Sequence, residues 1–309
     1  MKRDDRALYP ALAAVLFWST IGSAFRLTLN YIPPHQLIFY AVITSLLFTG
    51  GYIVIRGSWR TLLRFSPKQY LYSAITAFIN PFTYYLLLLN AYDILPTQVA
   101  GTINYIWPVN LVLLSAVVLK QKVGSRAIVA CIVSFSGLVL IVTRGNFTSF
   151  SFSNPVGVGL ILGCSLLFAL YWILNMRDRR EEADKLFLTY FFAALYLIPV
   201  QFILSGKGVP PAWEGVAGAV YIGIFEMGLT FFLWLKALKL TTNTAKISNL
   251  VFLSPFISLL FISIFIGETI AFTTFAGLLL IVLGIVLSNT QKRGRQPETV
   301  SLHEQKKDE

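Results

Sequence analysis

Ten apolar stretches, separated by short polar connections, decide what this chain can become. They cover 8–28, 35–55, 69–91, 94–119, 126–143, 155–176, 185–205, 213–235, 242–266 and 270–290. A helix that crosses the hydrocarbon core of a bilayer needs about 20 mostly apolar residues. The runs are continuous rather than alternating, which argues against membrane strands. Only 13% of the residues are charged and the mean hydropathy is +0.70, whereas soluble domains are about 25% charged. The expected fold is all-α and integral to the membrane. The opening MKRDDR, with a run ending near Gly22-Ser23-Ala24, has some features of a signal peptide. Cleavage there would destroy the repeat described below.

The formal net charge is +11, which by itself would fit nucleic acid. The placement of the cations argues otherwise. With the N-terminus inside, the connections facing the cytoplasm hold all but three of the 25 Lys and Arg residues; Arg26, Arg144 and Lys207 fall outside. This is the positive-inside pattern of a membrane protein, and it predicts ten spans with both termini cytoplasmic. The cations then lie near anionic lipid heads, and no nucleic-acid partner is required. The tail 291–309 is polar and reads as a disordered cytoplasmic extension. Cys131 and Cys164 both lie in apolar runs and read as packing, without disulfide or zinc spacing.

The chain resembles itself at a shift of 147. Pro108 then falls on Pro255, Thr97 on Thr244 and Gly137 on Gly284; a shift of 146 sets Asn80 over Glu226 and Ala91 over Ala237. Two five-helix units follow, 1–146 and 147–290. Five is odd, so the second unit enters the membrane inverted. The connections agree: Lys120-Gln121-Lys122 is inside, while its counterpart Gly267-Glu268-Thr269 is outside and carries no cation. Inverted repeats with a solute site near the midplane are a building plan of secondary transporters.

Polar side chains at membrane depth mark the candidate path. Asn104 and Trp107 are three apart and share a helical face, and Pro108 frees the Asn104 carbonyl and bends the helix. The plain alternative is a proline kink with tryptophan packing. The corresponding segment KISNLVFLSP offers Lys246 and Asn249 on one face, ahead of Pro255. Lys246 either meets an anionic solute group or snorkels to the inner surface. Asn80 and Tyr84 lie one turn apart in INPFTYYL. Glu226 is the one acid clearly at membrane depth; it either couples transport to protons or ties helices together as a hydrogen-bonded carboxyl. Trp18 and Ser19 mark the first span, and Arg26 its outer mouth. Tyr171, Trp172 and Asn175 approach the inner surface, where an aromatic belt sits. Gly159/Gly163 and Gly277/Gly284 allow close helix contact. His35 and His303 have no metal-like partner set.

These features together resemble the drug/metabolite transporter superfamily, and within it the EamA-type carriers, over about 8–290. The resemblance rests on the ten spans, the five-plus-five duplication, LFWST at 16–20 and a proline in the fourth and ninth spans. NYIWP followed by LKQK is similar to the YddG branch of aromatic amino acid exporters. It implies that Tyr105, Trp107 and Trp18 line a central cavity, in a multi-pass protein of the bacterial inner (plasma) membrane. Many first halves in the superfamily end the fourth span with Gly-Glu; here Lys120-Gln121 stands there, while Gly267-Glu268 keeps the pair in the second half.

No phosphate loop of the G-x-x-x-x-G-K-[ST] type is present, so ATP hydrolysis within this chain is not expected. The expected function is secondary transport, not catalysis, with no cofactor and no metal. The cargo is a small metabolite, an aromatic or other neutral amino acid first, exported by alternating access with Pro108 and Pro255 as hinges. A sugar, nucleoside, polyamine or drug-like cation is the alternative cargo. A lipid-transferring enzyme lacks the acidic or histidine cluster it needs, and a structural or sensory protein would show no solute flux. The sequence leaves monomer and homodimer open.

Overall fold

The structure is a computed structural model that describes residues 3–118, 125–145, 154–205, 211–240 and 249–289. Lys246, the 120–122 connection and the 291–309 tail lie outside the described residues. Among the described residues the architecture is helical throughout, without strands. An apolar run in hydrocarbon has no water to take its backbone polar groups, so a helix satisfies them internally. Boundaries follow local chemistry. Pro34 and Pro67 open α2 (Pro34–Ile55) and, after the short α3 (Trp59–Leu62), α4 (Pro67–Ala77), where the missing amide hydrogen costs nothing. The Asn154 side chain accepts from the Gly157 amide at 3.0 Å and starts α9 (Pro155–Arg177).

Among the described residues, six helices are long and apolar enough to cross a membrane: 6–29, 34–55, 67–94, 155–175, 182–204 and 213–234. Three shorter apolar helices occupy 128–143, 250–266 and 272–287. The expected single span 94–119 is instead two pieces, α6 (Thr97–Asn104) and α7 (Trp107–Val118), joined by a turn at Tyr105-Ile106. Pro108 is the second residue of α7 and Pro255 the second of the helix Ser254–Phe261. The sequence predicts that Pro108 bends a continuous helix; instead it sits in the first turn of a new one, where its lack of a donor is harmless, while Pro255 lies where the 3-10 segment Asn249–Leu253 passes into the α-helical part of the stretch 250–266. Irregularity recurs in the third span. There α4 passes through a π-helical turn, Phe78–Thr83, into α5 (Tyr84–Ile94), and Asn80 has non-helical angles of φ −146° and ψ 122°. A second π-helical turn, Gly223–Leu229, separates α11 (Trp213–Ile222) from α12 (Thr230–Leu240).

The helix α1 (Arg3–Leu29) packs against α12 and against Ser254–Phe261, while α10 (Glu182–Ser205) packs on α2. The closest pairing joins α8 (Ser125–Thr143) to the terminal helix Phe272–Asn289. A Cβ added at Gly137 would fall 2.4 Å from the Gly277 carbonyl oxygen, and one at Gly284 would fall 2.5 Å from that of Ala130. Between them, Ser134 Oγ donates to the Ile281 carbonyl at 3.3 Å. As the number on one helix rises the number on the other falls, so the two run antiparallel. At one end of the bundle, the turn between α9 and α10 gathers charge. Arg180 clasps Asp178 at 2.6 Å and donates to Ser73 Oγ at 2.8 Å, and Lys185 meets Glu182 at 2.6 Å and Asn175 Oδ1 at 3.1 Å. Arg56 pairs with Glu181 there. Burial alone would raise the Asp178 carboxyl, but the hydrogen bonds and charge of Arg180, with the charge of Lys185, hold it below its ordinary value.

Candidate functional site

The irregular segments converge on one chamber of about 180 Å³, with walls from α1, the stretch from α4 to α7, α9, α10, the 223–231 turn and the segment 251–262. The breaks explain why it exists. A straight helix presents side chains and hides its backbone; an interrupted one also turns consecutive residues to different sides. Hence Asn104, the last residue of α6, and Trp107, the first of α7, both reach the wall although a turn separates them.

Two side-chain hydrogen bonds pair residues of the wall. Asn104 Nδ2 donates to the Tyr84 hydroxyl at 3.0 Å. The Tyr85 hydroxyl donates to Glu226 Oε1 at 2.9 Å and holds that carboxyl on the wall. The neighbouring Tyr190 hydroxyl donates to the Met227 carbonyl at 2.6 Å. Around them stands an aromatic shell. Tyr84 stacks on Phe168 with ring centres 5.0 Å apart, Trp107 meets the edge of Phe168 at 5.1 Å, and Trp107 lies nearly parallel to Trp172 at 6.2 Å. Trp18 closes another side, edge-on to Phe231 at 6.1 Å. Glu226 is the one ionisable acid or base among the described lining residues other than tyrosine. Three polar atoms on the wall are buried without a protein partner: Asn80 Oδ1, Asn104 Oδ1 and Trp172 Nε1. Such atoms are uncommon, because leaving one unpaired costs about 1–3 kcal/mol.

Of the residues singled out from sequence, Trp18, Asn80, Tyr84, Asn104, Tyr105, Trp107, Pro108, Glu226 and Pro255 line this chamber. Ser19 does not. It is fully buried, donates to the Val15 carbonyl at 2.6 Å and faces Ser254 Oγ at 3.3 Å, a contact between the first and ninth spans. Asn249 opens the 3-10 segment Asn249–Leu253, whose Val251 and Phe252 reach the wall. Tyr171 and Trp172, read from sequence as an interfacial belt, line the chamber instead; Tyr171 is buried and takes a hydrogen bond from Asn175 at 3.2 Å. Sequence reasoning also missed Tyr85, Gln98 and Tyr190. Tyr85 had a signal, as the neighbour of Tyr84 beside a proline; Tyr190, in the run LTYFF, had none.

A chamber lined by polar and aromatic groups within membrane helices defines a solute carrier. The chain matches the EamA-like transporter family over residues 6–143 and again over 155–290. It belongs to that family, and so to the drug/metabolite transporters, as a multi-pass protein of the bacterial inner membrane. It is 24% identical over 302 residues to the uncharacterized transporter YvbV of Bacillus subtilis, covering 94% of this chain and 93% of the relative. Protein PecM of Dickeya dadantii is 24% identical, with coverage of 93% and 92%. The aromatic amino acid exporter YddG of Ancylobacter novellus is 25% identical over 241 residues, 76% of this chain and 79% of the exporter. A crystal structure at 19% identity superposes with a TM-score of 0.64 over 92% of this chain and 96% of the other, a likeness of fold.

Proposed function

We propose that this protein is a secondary transporter that exports a small amine-bearing metabolite, an aromatic or other neutral amino acid first, by alternating access. One observation carries the reading: a lone carboxyl, Glu226, set in an aromatic chamber whose wall also presents unpartnered amide oxygens and an indole N–H. An ammonium group suits Glu226 and the faces of the surrounding rings. The apolar body of the solute suits the Trp107, Phe168 and Trp172 wall. Trp172 Nε1 offers a donor to a carboxylate. The YddG relative is an aromatic amino acid exporter, in agreement with this cargo.

The transport cycle rests on two inverted five-helix halves, 1–146 and 147–290, ten spans in all, with both termini cytoplasmic. Support comes from the antiparallel pairing of α8 with the terminal helix. Ser134 and Ile281, which meet there, are equivalent under the 147-residue shift, and the Gly137–Gly277 and Gly284–Ala130 contacts interchange under it. A pseudo-two-fold axis passing between helices of opposite direction is what an inverted repeat produces. Pro108 and Pro255 open equivalent helix pieces, and in this reading they are the hinges around which the halves rock.

The test is counterflow in liposomes holding the purified chain, with labelled aromatic amino acids, with and without a proton gradient. Uptake that Trp107→Ala reduces at least tenfold supports the site. Unchanged flux in that variant rejects it, and a chain that moves no amine-bearing solute rejects the cargo. Gradient-driven uptake lost in Glu226→Gln assigns proton coupling to that carboxyl.

A further inference from the structure

The short helix α6 carries Gln98, Gly101, Thr102 and Asn104 into the chamber, so its position sets the shape of the site. Its own sequence does not hold it. Pro96 precedes it and supplies no side-chain cap, which leaves the first-turn amides without intrahelical partners. Their partner comes from the other half of the molecule. Glu268 Oε1 accepts from the Thr97 amide at 2.8 Å, and Oε2 accepts from the Gln98 amide at 3.1 Å and from Gln98 Nε2 at 3.3 Å. A carboxylate is well matched to this end of a helix, where the aligned peptide dipoles leave positive charge. Gln98 then completes an interlock: its Nε2 also donates to the Thr269 carbonyl, and its Oε1 accepts from the Ala271 amide, each at 3.0 Å. Thr97 and Gln98 are buried under these contacts.

The loop that reaches across is set up locally. Gly267, at φ +76°, ends the ninth span in the left-handed conformation and turns Glu268 towards α6. Just below, the Tyr92 hydroxyl lies against Gly22 and Gly101, where an added Cβ would stand 3.4 Å and 3.0 Å away. The interlock and Tyr92 thus stand at the end of the chamber that the charge bias assigns to the outside. Parting the loop from α6 would free two backbone amides and an amide side chain, groups that water satisfies readily once the end is wet. The buried α6 side of the contact, Thr97 and Gln98, needs these partners while covered, and water can replace them once that side is exposed.

We propose that Glu268 and Gln98 form the outer latch of the carrier, positioning α6 against the second half while that end is shut and releasing it when the end opens. This rests on the alternating-access reading above. The test uses full-length protein lacking Cys131 and Cys164, with Thr102→Cys as a reporter on the chamber wall, labelled in sealed vesicles of both orientations by a membrane-impermeant maleimide. Glu268→Gln and Gln98→Ala should each raise labelling from the outer side about threefold or more relative to the inner side, and the double variant should add little to the larger single effect. An unchanged ratio of outer to inner labelling, with only a lowered melting temperature, would show a static cap and overturn the latch. A second measurement does not depend on weakening the fold. Gln98→Cys/Thr269→Cys should lose counterflow on oxidation and regain it on reduction; counterflow persisting in the cross-linked protein overturns the latch. Absence of counterflow in the parent instead removes the transport reading itself.

Discussion

The segments α6–α7 and 249–266 on one hand, and α8 and the terminal helix on the other, are drawn from similarly apolar sequence and end up doing opposite things. The pair of α8 with the terminal helix is regular, and its glycines bring backbones together until no Cβ fits between them. The segments 97–118 and 249–266 are irregular, the first divided into α6 and α7 and the second passing through 3-10, α and π turns, and these irregularities carry chamber walls. Small residues, with Ser134 satisfied across the contact, give a close-packed seam, because backbone packing and interhelical hydrogen bonds are the attractions available in lipid. A proline beside asparagine, tyrosine and tryptophan gives an interruption that survives only where protein or water meets the freed backbone. Hydrophobicity alone does not distinguish the two outcomes.

The sharpest way to break this contrast is to overfill the seam. Gly284→Leu places its first side-chain carbon where Ser134 Oγ stands 2.1 Å away. Since overpacking costs about 1–3 kcal/mol or more and the Ala130 backbone cannot step aside, loss of monodisperse protein on size exclusion is expected. A normal profile and melting temperature would mean the two helices are not apposed. In the chamber the same kind of change should spare folding and remove function. Glu226→Gln keeps the shape of the side chain and removes its charge; counterflow of amine-bearing solutes should fall at least tenfold, equivalent to about 1.4 kcal/mol, while the melting temperature barely moves. An N-acylated analogue that competes as well as the free amine would sink the role given to this carboxyl.

Tyr85→Phe removes the hydroxyl that aims Glu226 at 2.9 Å. Because the carboxyl itself remains, the expected loss is smaller, about three- to tenfold in apparent affinity, with maximal rate less affected. The smallest effect lies outside both regions, at the α9–α10 turn. The Asp178 carboxyl is held below its ordinary value when folded, so its contribution to stability is present above the unfolded value of about 3.9 and is lost as pH falls through the lower folded value. The melting temperature of the parent should exceed that of Asp178→Asn near pH 6, and the gap should narrow towards pH 3. A gap independent of pH would assign the difference to packing.

The apolar runs, the position of Pro108 and Pro255 and the isolation of Glu226 are all readable from residue order, because span length, a missing backbone donor and a lone charge are local properties. So is the self-similarity at 147, whose glycines meet in the α8 seam. Residue order could not say that Tyr171 and Trp172 turn inward rather than to the lipid interface, since either fate suits an aromatic near a helix end. Nor could it pair Ser19 with Ser254, or give α6 a cap from Glu268, about 170 positions away along the chain. Helix existence was thus determined by sequence alone, through the demand that backbone groups in hydrocarbon satisfy one another. Which side chains share the chamber, and which carboxylate holds its edge, was decided only when the helices came together, because those partners are chosen by distance in space and not by spacing along the chain.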